Sequence, residues 1–218
     1  MFSLSEENYL KTIFHLEQKS PAGVSTNALA DKMETKPSSV SDMLKKLSGK
    51  GLVNYKKYQG AKLSLAGRKS AVEVIRKHRL WEVFLVEKLN FTWDEVHDVA
   101  EQLEHIQSEK LTKELDRFLN FPRRDPHGDP IPDEKGKFSI LDKEILANLE
   151  PGDHGICVGV RDSSPEFLQY LNKNKIALGK EIKVLEKEEF DGSQHISVQG
   201  KQMQISKEIS GNLYIKTK

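Results

Sequence analysis

Four residues of types that bind divalent metals recur at helical spacing near the middle of the chain. His97, Glu101, Glu104 and His105 stand at positions i, i+4, i+7 and i+8. At about 100° per residue, a helix brings these side chains within an arc of ~100° on one face. Two imidazoles and two carboxylates on one face form a suitable ligand set for a divalent transition metal. The alternative is a solvated face with incidental pairs of Glu and His.

A second pair of the same residue types, His78 and Glu82, has i, i+4 spacing on the preceding predicted helix. These six side chains offer only nitrogen and oxygen, which disfavours a structural zinc site and favours Mn(II) or Fe(II). Histidine must lose its proton to coordinate a metal. We therefore expect the metal affinity to fall as the pH drops towards ~6.

Positive charge is concentrated upstream of these helices. Between Lys36 and Lys69 the sequence holds nine Lys or Arg residues and one acidic residue, Asp42, whereas the whole chain has a net charge of +1. Helices are predicted to begin near Ser5, Asn27 and Pro37 and to be followed by strands over 52–58 and 61–65. This order is typical of a winged helix-turn-helix. From charge alone, a solvated basic face is the alternative.

The third helix of such a domain enters the major groove with its N-terminal residues at the base edges. Backbone N–H groups at that end can hold a phosphate, and wing lysines suit contacts with the DNA backbone. The predicted DNA-contacting residues are Lys36, Pro37, Ser38, Ser39, Ser41 and Asp42 in the helix, and Lys57, Tyr58 and Lys62 in the wing. A winged helix that binds a protein is the alternative, and the basic wing argues against it.

In the rest of the sequence the predicted secondary structure changes twice, from long helices to a loop and then to short strands. A long helix capped by Ser64 is predicted to end near Leu89, and another to run from Asp94 to about Leu119. A loop rich in Pro and Gly over 121–136 is expected to lie over these helices. Beyond residue 142, about five short strands and one helix predict a small barrel. We therefore predict a mainly α protein with a small β part and domains at 1–72, 73–140 and 141–218.

Composition argues against several other classes of protein. The chain has 218 residues, 37% hydrophobic and 31% charged. No apolar run approaches the ~20 residues of a membrane span, and the first residues do not resemble a signal peptide. Cys157 is the only cysteine, so no intrachain disulfide is expected, which fits the cytoplasm. No sequence pattern of a phosphate loop or an activated nucleophile is found, and nothing in the sequence supports a ligand role for His127.

The sequence resembles the diphtheria toxin repressor and manganese transport regulator family of metal-dependent bacterial repressors. The matching stretches are 8–13, 36–41, 77–82 and 96–105, together with the loop Pro126-His127-Gly128-Asp129-Pro130-Ile131-Pro132. The resemblance covers essentially the whole chain. It implies an N-terminal winged helix-turn-helix domain, a helical dimerisation domain and a C-terminal SH3-like β-barrel.

The resemblance also implies up to two metal ions per subunit. One site would consist of Asn8, Glu101, Glu104 and His105, and the other of His78, Glu82 and His97 with Asp162 from the barrel. Glu101 stands where iron-responsive members carry Cys and manganese-responsive members carry Glu, which favours Mn(II) first and Fe(II) next. Lys11 replaces an acidic residue of some manganese regulators, which favours two separated sites over a bridged pair of metals.

We interpret the chain as a cytoplasmic, homodimeric repressor that a metal activates for binding a palindromic operator in double-stranded DNA, controlling metal-uptake genes. Metal coordination by Asn8 and Asp162 would fix the two winged-helix domains of the dimer at the spacing of successive major grooves. Neither a membrane nor a small-molecule substrate is expected as a partner. A small metallohydrolase that uses the same His/Glu cluster is the rival interpretation. Against it, the ligand set leaves few positions open for a substrate.

Overall fold

The computed structural model of the chain describes residues 2–20, 22–56 and 60–217. Its helices are α1 (Leu4–Glu17), α2 (Thr26–Lys32), α3 (Pro37–Gly49), α4 (Leu65–Leu89), α5 (Val96–Leu103), α6 (Glu109–Phe118), α7 (Pro165–Lys173) and α8 (Lys207–Ser210). Its strands are β1 (Val53–Lys56), β2 (Gly60–Leu63), β3 (Glu144–Ile145), β4 (His154–Val160), β5 (Glu181–Lys187), β6 (Gln194–Val198), β7 (Lys201–Ile205) and β8 (Leu213–Thr217). The predicted wing contacts Lys57 and Tyr58 lie outside the described residues.

The chain divides into two compact units, and the first comprises Met1–His78, Glu101–Glu109 and Pro132–Lys137. Its helices have amphipathic sequences, and their apolar faces meet in a core. The largest fully buried side chains of the first three helices are Leu10, Ile13, Leu29, Leu44 and Leu47. The hairpin follows as predicted, with β1 and β2 antiparallel and paired from Val53–Leu63 to Lys56–Gly60. The predicted winged helix-turn-helix order is therefore present.

The start of α1 differs from the sequence prediction. Ser3, and not Ser5, is the N-cap, because Ser3 and Glu6 form the reciprocal hydrogen bonds of a capping box. Glu6 is buried and also contacts two lysines at the end of α3, with its Oε1 2.6 Å from Nζ of the C-cap Lys50 and 3.1 Å from Lys46 Nζ. The hydrogen bond from Lys50 contributes most to lowering the pKa of Glu6 to about 2. Glu6 therefore joins α1 to α3 through charge.

The long helix α4 begins after Ser64, whose hydroxyl accepts from the Gly67 N–H at 3.0 Å, as predicted. The single helix predicted from Asp94 to about Leu119 is wrong, because α5 ends at Leu103 and α6 begins at Glu109. Glu104 and His105 lie in the intervening turn, where the Ile106 N–H donates to the Leu103 carbonyl. Ser108 precedes α6 at the N-cap position, where serine favours the start of a new helix.

The second unit comprises Arg79–Ala100, Lys110–Ile131 and Phe138–Lys218. Its sheet has six antiparallel strands in the order β3-β8-β4-β5-β6-β7, with all five predicted strands and the two-residue β3 in addition. Among the described residues the edge strands β3 and β7 do not pair, so hydrogen bonds do not close the sheet into a barrel. Its fully buried core includes Leu146, Leu168, Leu171, Ile176, Ile182 and Ile196.

None of the described helices combines the length and the apolar character that crossing a membrane requires.

Candidate metal centres and DNA-binding face

In the first unit, two acidic side chains face the first helix, and we call them the Glu101–Glu104 pair. The Glu104 side chain is fully buried. Lys11 Nζ of α1 lies 2.5 Å from Glu101 Oε2 and 2.7 Å from Glu104 Oε1. His78 Nδ1 of α4 lies 2.6 Å from Glu104 Oε2. Two carboxylates and an imidazole therefore converge here, and an ammonium lies among them.

The orientation of His105 suits a metal ligand. Its Nδ1 contacts Glu7 Oε2 at 2.6 Å, and its Nε2 lies 3.7 Å from Glu104 Oε1. Glu7 also accepts from Gln107 Nε2 at 2.6 Å. A ligating histidine commonly donates its second ring N–H to a carboxylate, which fixes both the tautomer and the ring plane. With Nδ1 held by Glu7, Nε2 is the nitrogen that faces the Glu101–Glu104 pair.

Asn8 provides the test of whether a cation fits this cluster. Its Oδ1 is buried and has no hydrogen-bond partner in the part of the chain that the structure describes. Leaving a buried acceptor unpaired costs about 1–3 kcal/mol, so such atoms usually have an unseen partner. Asn8 lies one helical turn before Lys11 on α1, and an amide oxygen is a suitable ligand for a hard cation. The residues present therefore fit the metal site expected from the sequence.

A second cluster lies in the second unit, and we call it the Glu82–Asp125–His127 group. One ligand atom from each of these three buried residues lies within 4.8 Å of those from the other two. His127 Nε2 lies 2.7 Å from the Trp93 carbonyl oxygen, to which it can only donate, so in the neutral ring Nδ1 is the nitrogen with a lone pair. That Nδ1 lies 3.7 Å from Glu82 Oε1. His97 Nδ1 lies 3.6 Å from the same oxygen, on a largely exposed side chain.

The electrostatics of the Glu82–Asp125–His127 group favour a bound cation. Burial and the neighbouring Glu82 carboxylate raise the pKa of Asp125 to about 7. Burial lowers the pKa of His127, but the hydrogen bond and charge of Glu82 outweigh burial and raise it to about 9. Arg79 Nε offers Asp125 partial compensation at 3.3 Å. Two buried carboxylates side by side are a suitable environment for a divalent cation, which would compete there with Arg79 and with the proton of His127.

The loop that carries His127 is fastened to the sheet through its backbone. The Val160 N–H of β4 donates to the His127 carbonyl at 2.9 Å. Gly128 has φ +87°, and a Cβ there would lie 2.1 Å from the Val158 carbonyl oxygen, so only glycine fits. The register of β4 against β8 shifts between Cys157 and Gly159, beside this contact. The sheet therefore helps to position a candidate ligand.

The structure distributes the predicted ligands between the two units. Asn8, His78, Glu101, Glu104 and His105 lie in the first, and Glu82 and His97 in the second. Asp162 lies outside the Glu82–Asp125–His127 group, and its Oδ1 accepts from the Ser164 N–H at 2.8 Å just before α7.

Sequence reasoning missed Asp125 and His127, because helical periodicity says nothing about a loop. His127 lies in the loop Pro126–Pro132, which carries the family resemblance, and Asp125 directly precedes that loop; this is the signal that could have pointed to them.

The predicted DNA-contacting end of α3 is exposed. Lys36, Pro37, Ser38 and Ser39 are all exposed, and backbone N–H groups in a first helical turn have no partner within the helix. Two predicted contacts have local partners. The Ser41 hydroxyl donates to the Pro37 carbonyl at 3.0 Å, and Asp42 pairs with Lys45 at 3.0 Å. In the wing, Lys62 is exposed on β2.

Comparison with known families matches three consecutive stretches of the chain. Residues 1–61 match the iron dependent repressor N-terminal DNA binding domain, and residues 65–133 match the iron dependent repressor metal binding and dimerisation domain. Residues 145–217 match the FeoA domain. The predicted fold class, a winged helix-turn-helix, a helical domain and an SH3-like domain, is confirmed, although the sheet is open.

Curated relatives include the iron-dependent repressor IdeR of Mycobacterium leprae, which is 35% identical over 126 residues, 58% of this chain and 54% of that protein. The diphtheria toxin repressor of Corynebacterium diphtheriae is 33% identical over 132 residues, 60% of this chain and 58% of that protein. The chain thus spans about half the length of the curated relatives it matches.

Solved structures match over nearly the full length. A manganese-dependent transcriptional repressor in complex with manganese superposes with a TM-score of 0.86 at 34% identity, covering 97% of this chain and 99% of that chain. The repressor ScaR with bound Zn²⁺ superposes with a TM-score of 0.75 at 32% identity, covering 97% and 98%. The sequence matches and these superpositions agree on one group of proteins. This chain therefore belongs to the diphtheria toxin repressor and manganese transport regulator family of metal-dependent transcriptional repressors.

Proposed function

We propose that this protein is a DNA-binding transcriptional repressor that Mn(II) activates, with Fe(II) as the second candidate. The observation that carries the proposal is the buried Glu82–Asp125–His127 group, a set of nitrogen and oxygen donors in a chain that begins with a winged helix. Membership of a family of DNA-binding repressors argues against the metallohydrolase alternative.

The donors of both clusters support Mn(II) over softer metals. Neither the Glu101–Glu104 pair and its neighbours nor the Glu82–Asp125–His127 group includes a sulfur, and carboxylate-rich sites suit Mn(II) and Fe(II). The relatives carry both metals in their names, iron-dependent and manganese-dependent. We propose one cation at each cluster, with Asn8, Glu101, Glu104 and His105 at the first. Glu82, Asp125 and His127 would hold the second, and His97 and Asp162 are additional candidates for it, whereas His78 contacts Glu104 of the first cluster.

The contacts of α1 explain how charge at the first cluster would reach the DNA-binding helix. A divalent cation would bring two positive charges to carboxylates that now contact the single charge of the Lys11 ammonium. Lys11 and Glu7 of α1 contact Glu101 and His105, and Asn8 lies one turn before Lys11, so the position of α1 depends on the charge at this cluster. Glu6 contacts Lys46 of α3 and the C-cap Lys50. A change in the position of α1 is thereby passed to the recognition helix.

We propose that the partner is a palindromic operator in the promoters of metal-uptake genes. Lys36, Ser38 and Ser39 would read base edges or hold phosphates at the start of α3, and Lys62 would contact the backbone from the wing. The chromosome lies in the cytoplasm, so that is the expected location.

The binding species would be a homodimer, because a palindrome presents two equivalent half-sites. Apolar side chains around α6 support a self-association surface in the second unit. Phe118, Phe121, Leu89 and Leu111 are 63%, 59%, 51% and 39% exposed. Large exposed apolar patches are unusual on a monomer and commonly mark an interface.

The decisive experiment is a titration of a fluorescent promoter duplex by anisotropy, with chelator, Mn(II), anaerobic Fe(II) or Zn(II). We expect tight binding with Mn(II) or Fe(II) and weak binding in chelator. Equal binding in chelator would overturn the proposal of metal activation.

Two variants assign the response to the clusters. Glu104→Ala and His127→Gln are each expected to remove the stimulation by Mn(II) while the protein remains folded, because each deletes a buried donor. His195→Gln, which changes a half-buried histidine of β6 outside both clusters, is the matched control and should respond like the native chain. Unchanged stimulation in Glu104→Ala or His127→Gln would refute the corresponding site.

A further inference from the structure

Lys11 makes an unusually complete set of contacts for a lysine. Its Nζ lies 2.5 Å from Glu101 Oε2 and 2.7 and 2.9 Å from the two oxygens of Glu104. Its side chain is only 13% exposed, and that of Glu104 is 0% exposed. Lysine is rarely buried to this degree unless it is paired, and an ammonium has three protons to donate. All three oxygens within its reach belong to residues that the preceding sections assign as metal ligands.

The charge balance shows what this ammonium does. Glu104 is buried, and a buried carboxylate without a partner is strongly destabilising. His78 contacts Glu104 Oε2 at 2.6 Å, and the charges of Lys77 and Glu104 attract each other. Lys11 reaches Glu101 and both oxygens of Glu104 within 2.9 Å, whereas His78 Nδ1 is 3.7 Å from Glu101 Oε2. Lys11 thus compensates the charge of two carboxylates, as a divalent cation at the same pair would.

The position of Lys11 along α1 gives the contact a second effect. Lys11 stands four residues after Glu7, so both side chains lie on one face of the helix. Glu7 contacts His105 and Gln107, each at 2.6 Å. Lys11 and Glu7 together join α1 to residues 101–107 through charged hydrogen bonds that involve no metal. Such bonds are among the strongest that side chains form.

We propose that Lys11 is a built-in counter-ion of the Glu101–Glu104 pair, which holds α1 against residues 101–107 in the metal-free protein and must leave before the pair can bind a divalent cation. The inference rests on the proposed metal binding at this cluster. Two consequences follow. The first helix is docked before any metal binds, and the affinity of this cluster for metal is reduced by the competing ammonium.

The first test uses Lys11→Met, which keeps the length of the side chain and removes its charge. We expect the metal-free variant to unfold at a lower temperature than the native chain and Mn(II) to restore its stability. We also expect the weaker of two Mn(II) binding steps in calorimetry to tighten by about tenfold or more, because the competing charge is gone. Lys11→Arg should keep the native stability in chelator. Lys45→Met, at an exposed pair with Asp42, is the control and should change neither property.

An unchanged melting temperature in chelator together with unchanged Mn(II) isotherms for Lys11→Met would overturn the proposal. The double variant Lys11→Met/Glu104→Gln assigns the effect, because the gain in affinity should disappear when the carboxylate pair is broken. These readouts use metal uptake and stability without DNA. Their failure is therefore distinguishable from failure of the proposed repressor function, which is measured by metal-dependent binding of the duplex.

A second measurement needs no variant and covers the case in which Lys11→Met does not fold. Amine acetylation of the native chain, read by mass spectrometry, reports whether Lys11 is shielded. We expect slow modification in chelator and several-fold faster modification once equilibrium dialysis shows both clusters loaded with Mn(II). A Lys11 that stays shielded at full loading would mean that the ammonium does not leave, and the proposal would be wrong.

Discussion

At the scale of single residues, the contacts of His127 decide how the second cluster responds to pH. The ring donates through Nε2 to the Trp93 carbonyl, and Nδ1 faces Glu82. In the metal-free protein the pKa of His127 is raised to about 9 and that of Asp125 to about 7. Both groups are ligands only after they lose a proton. The pH range that governs metal affinity is therefore higher than the value near 6 expected from an ordinary histidine.

We predict that Mn(II) binding at this group releases about one proton per ion at pH 7.5, and that affinity rises about tenfold per pH unit from 7 towards 9. The sign follows from the raised pKa of His127, since the protonated form predominates below 9 and competes with the metal. Calorimetry in two buffers of different ionisation enthalpy measures the protons released. His127→Gln should lose this release, and a pH-independent isotherm for the native chain would contradict the prediction.

Residue types and spacing pointed to candidate ligands on helices but not to those in the loop. Glu101, Glu104 and His105 were proposed from helical spacing, and the last two lie in the turn after α5. Asp125 and His127 were not found, since their placement depends on a loop held by β4. A contact between residues distant in sequence leaves no periodic pattern. The contacts of Lys11 with Glu101 and Glu104 could not be predicted either, because the sequence shows that a residue is charged but not which residues surround it.

At the scale of elements, the junction between the loop and β4 is where the sheet acts on the metal site. Gly128 has φ +87°, and an added Cβ would meet the Val158 carbonyl at 2.1 Å. We predict that Gly128→Ala displaces the loop and weakens Mn(II) binding at the Glu82–Asp125–His127 group by about 10- to 100-fold, the usual effect of losing an outer support. The variant keeps every candidate ligand side chain, so the loss of Mn(II) affinity would come from the altered position of the loop alone.

Gly179→Ala is the matched control for this prediction. Gly179 also has a positive φ of +80°, but nothing lies within 4 Å of its added Cβ, so the variant carries the same backbone strain without the clash. Calorimetry with Mn(II) and thermal unfolding of both variants separate the two effects. Equal Mn(II) affinity in the two variants would show that the sheet does not position His127.

The boundaries of elements were predicted best where capping and periodicity agree. Ser64 and the apolar positions of α4 predicted that helix to within one residue of its start. The division between α5 and α6 was missed, because the sequence 104–108 contains neither Pro nor Gly and its polar residues allow a continuous helix. The contacts of Glu7 and Lys11 with residues 101–107 favour the turn instead. Those contacts are tertiary, so local propensity could not reveal them.

At the scale of the whole molecule, the net charge of +1 makes the local basic surface decisive for DNA. Each phosphate neutralised by a lysine contributes about 0.9 to the slope of log affinity against log salt. We predict that Lys62→Gln lowers the magnitude of this slope by about two for a dimer, one contact per subunit. Lys201→Gln, on the exposed edge strand β7, is the control and should leave the slope unchanged. Anisotropy titrations in Mn(II) at salt concentrations from about 50 to about 200 mM measure this slope.

The order of domains was predictable because each has its own pattern, with helical periods first and alternating strands last. The family matches at 1–61, 65–133 and 145–217 follow the same order. The boundaries at 72 and 140 stay predictions. The open sheet was not predictable, because strand patterns reveal pairing partners nearby in sequence but not whether β3 and β7 meet.

The environment of Cys157 has a consequence for oxidative stress. The thiol is 1% exposed, and burial raises its pKa to about 11. Oxidants attack the thiolate, which this side chain scarcely forms at neutral pH. The candidate metal ligands are nitrogen and oxygen donors, and none of these can be converted to a sulfenic acid or a disulfide. Peroxide at levels that disable a thiol-ligated sensor would therefore leave this donor set chemically intact, and the chain would continue to report the supply of metal.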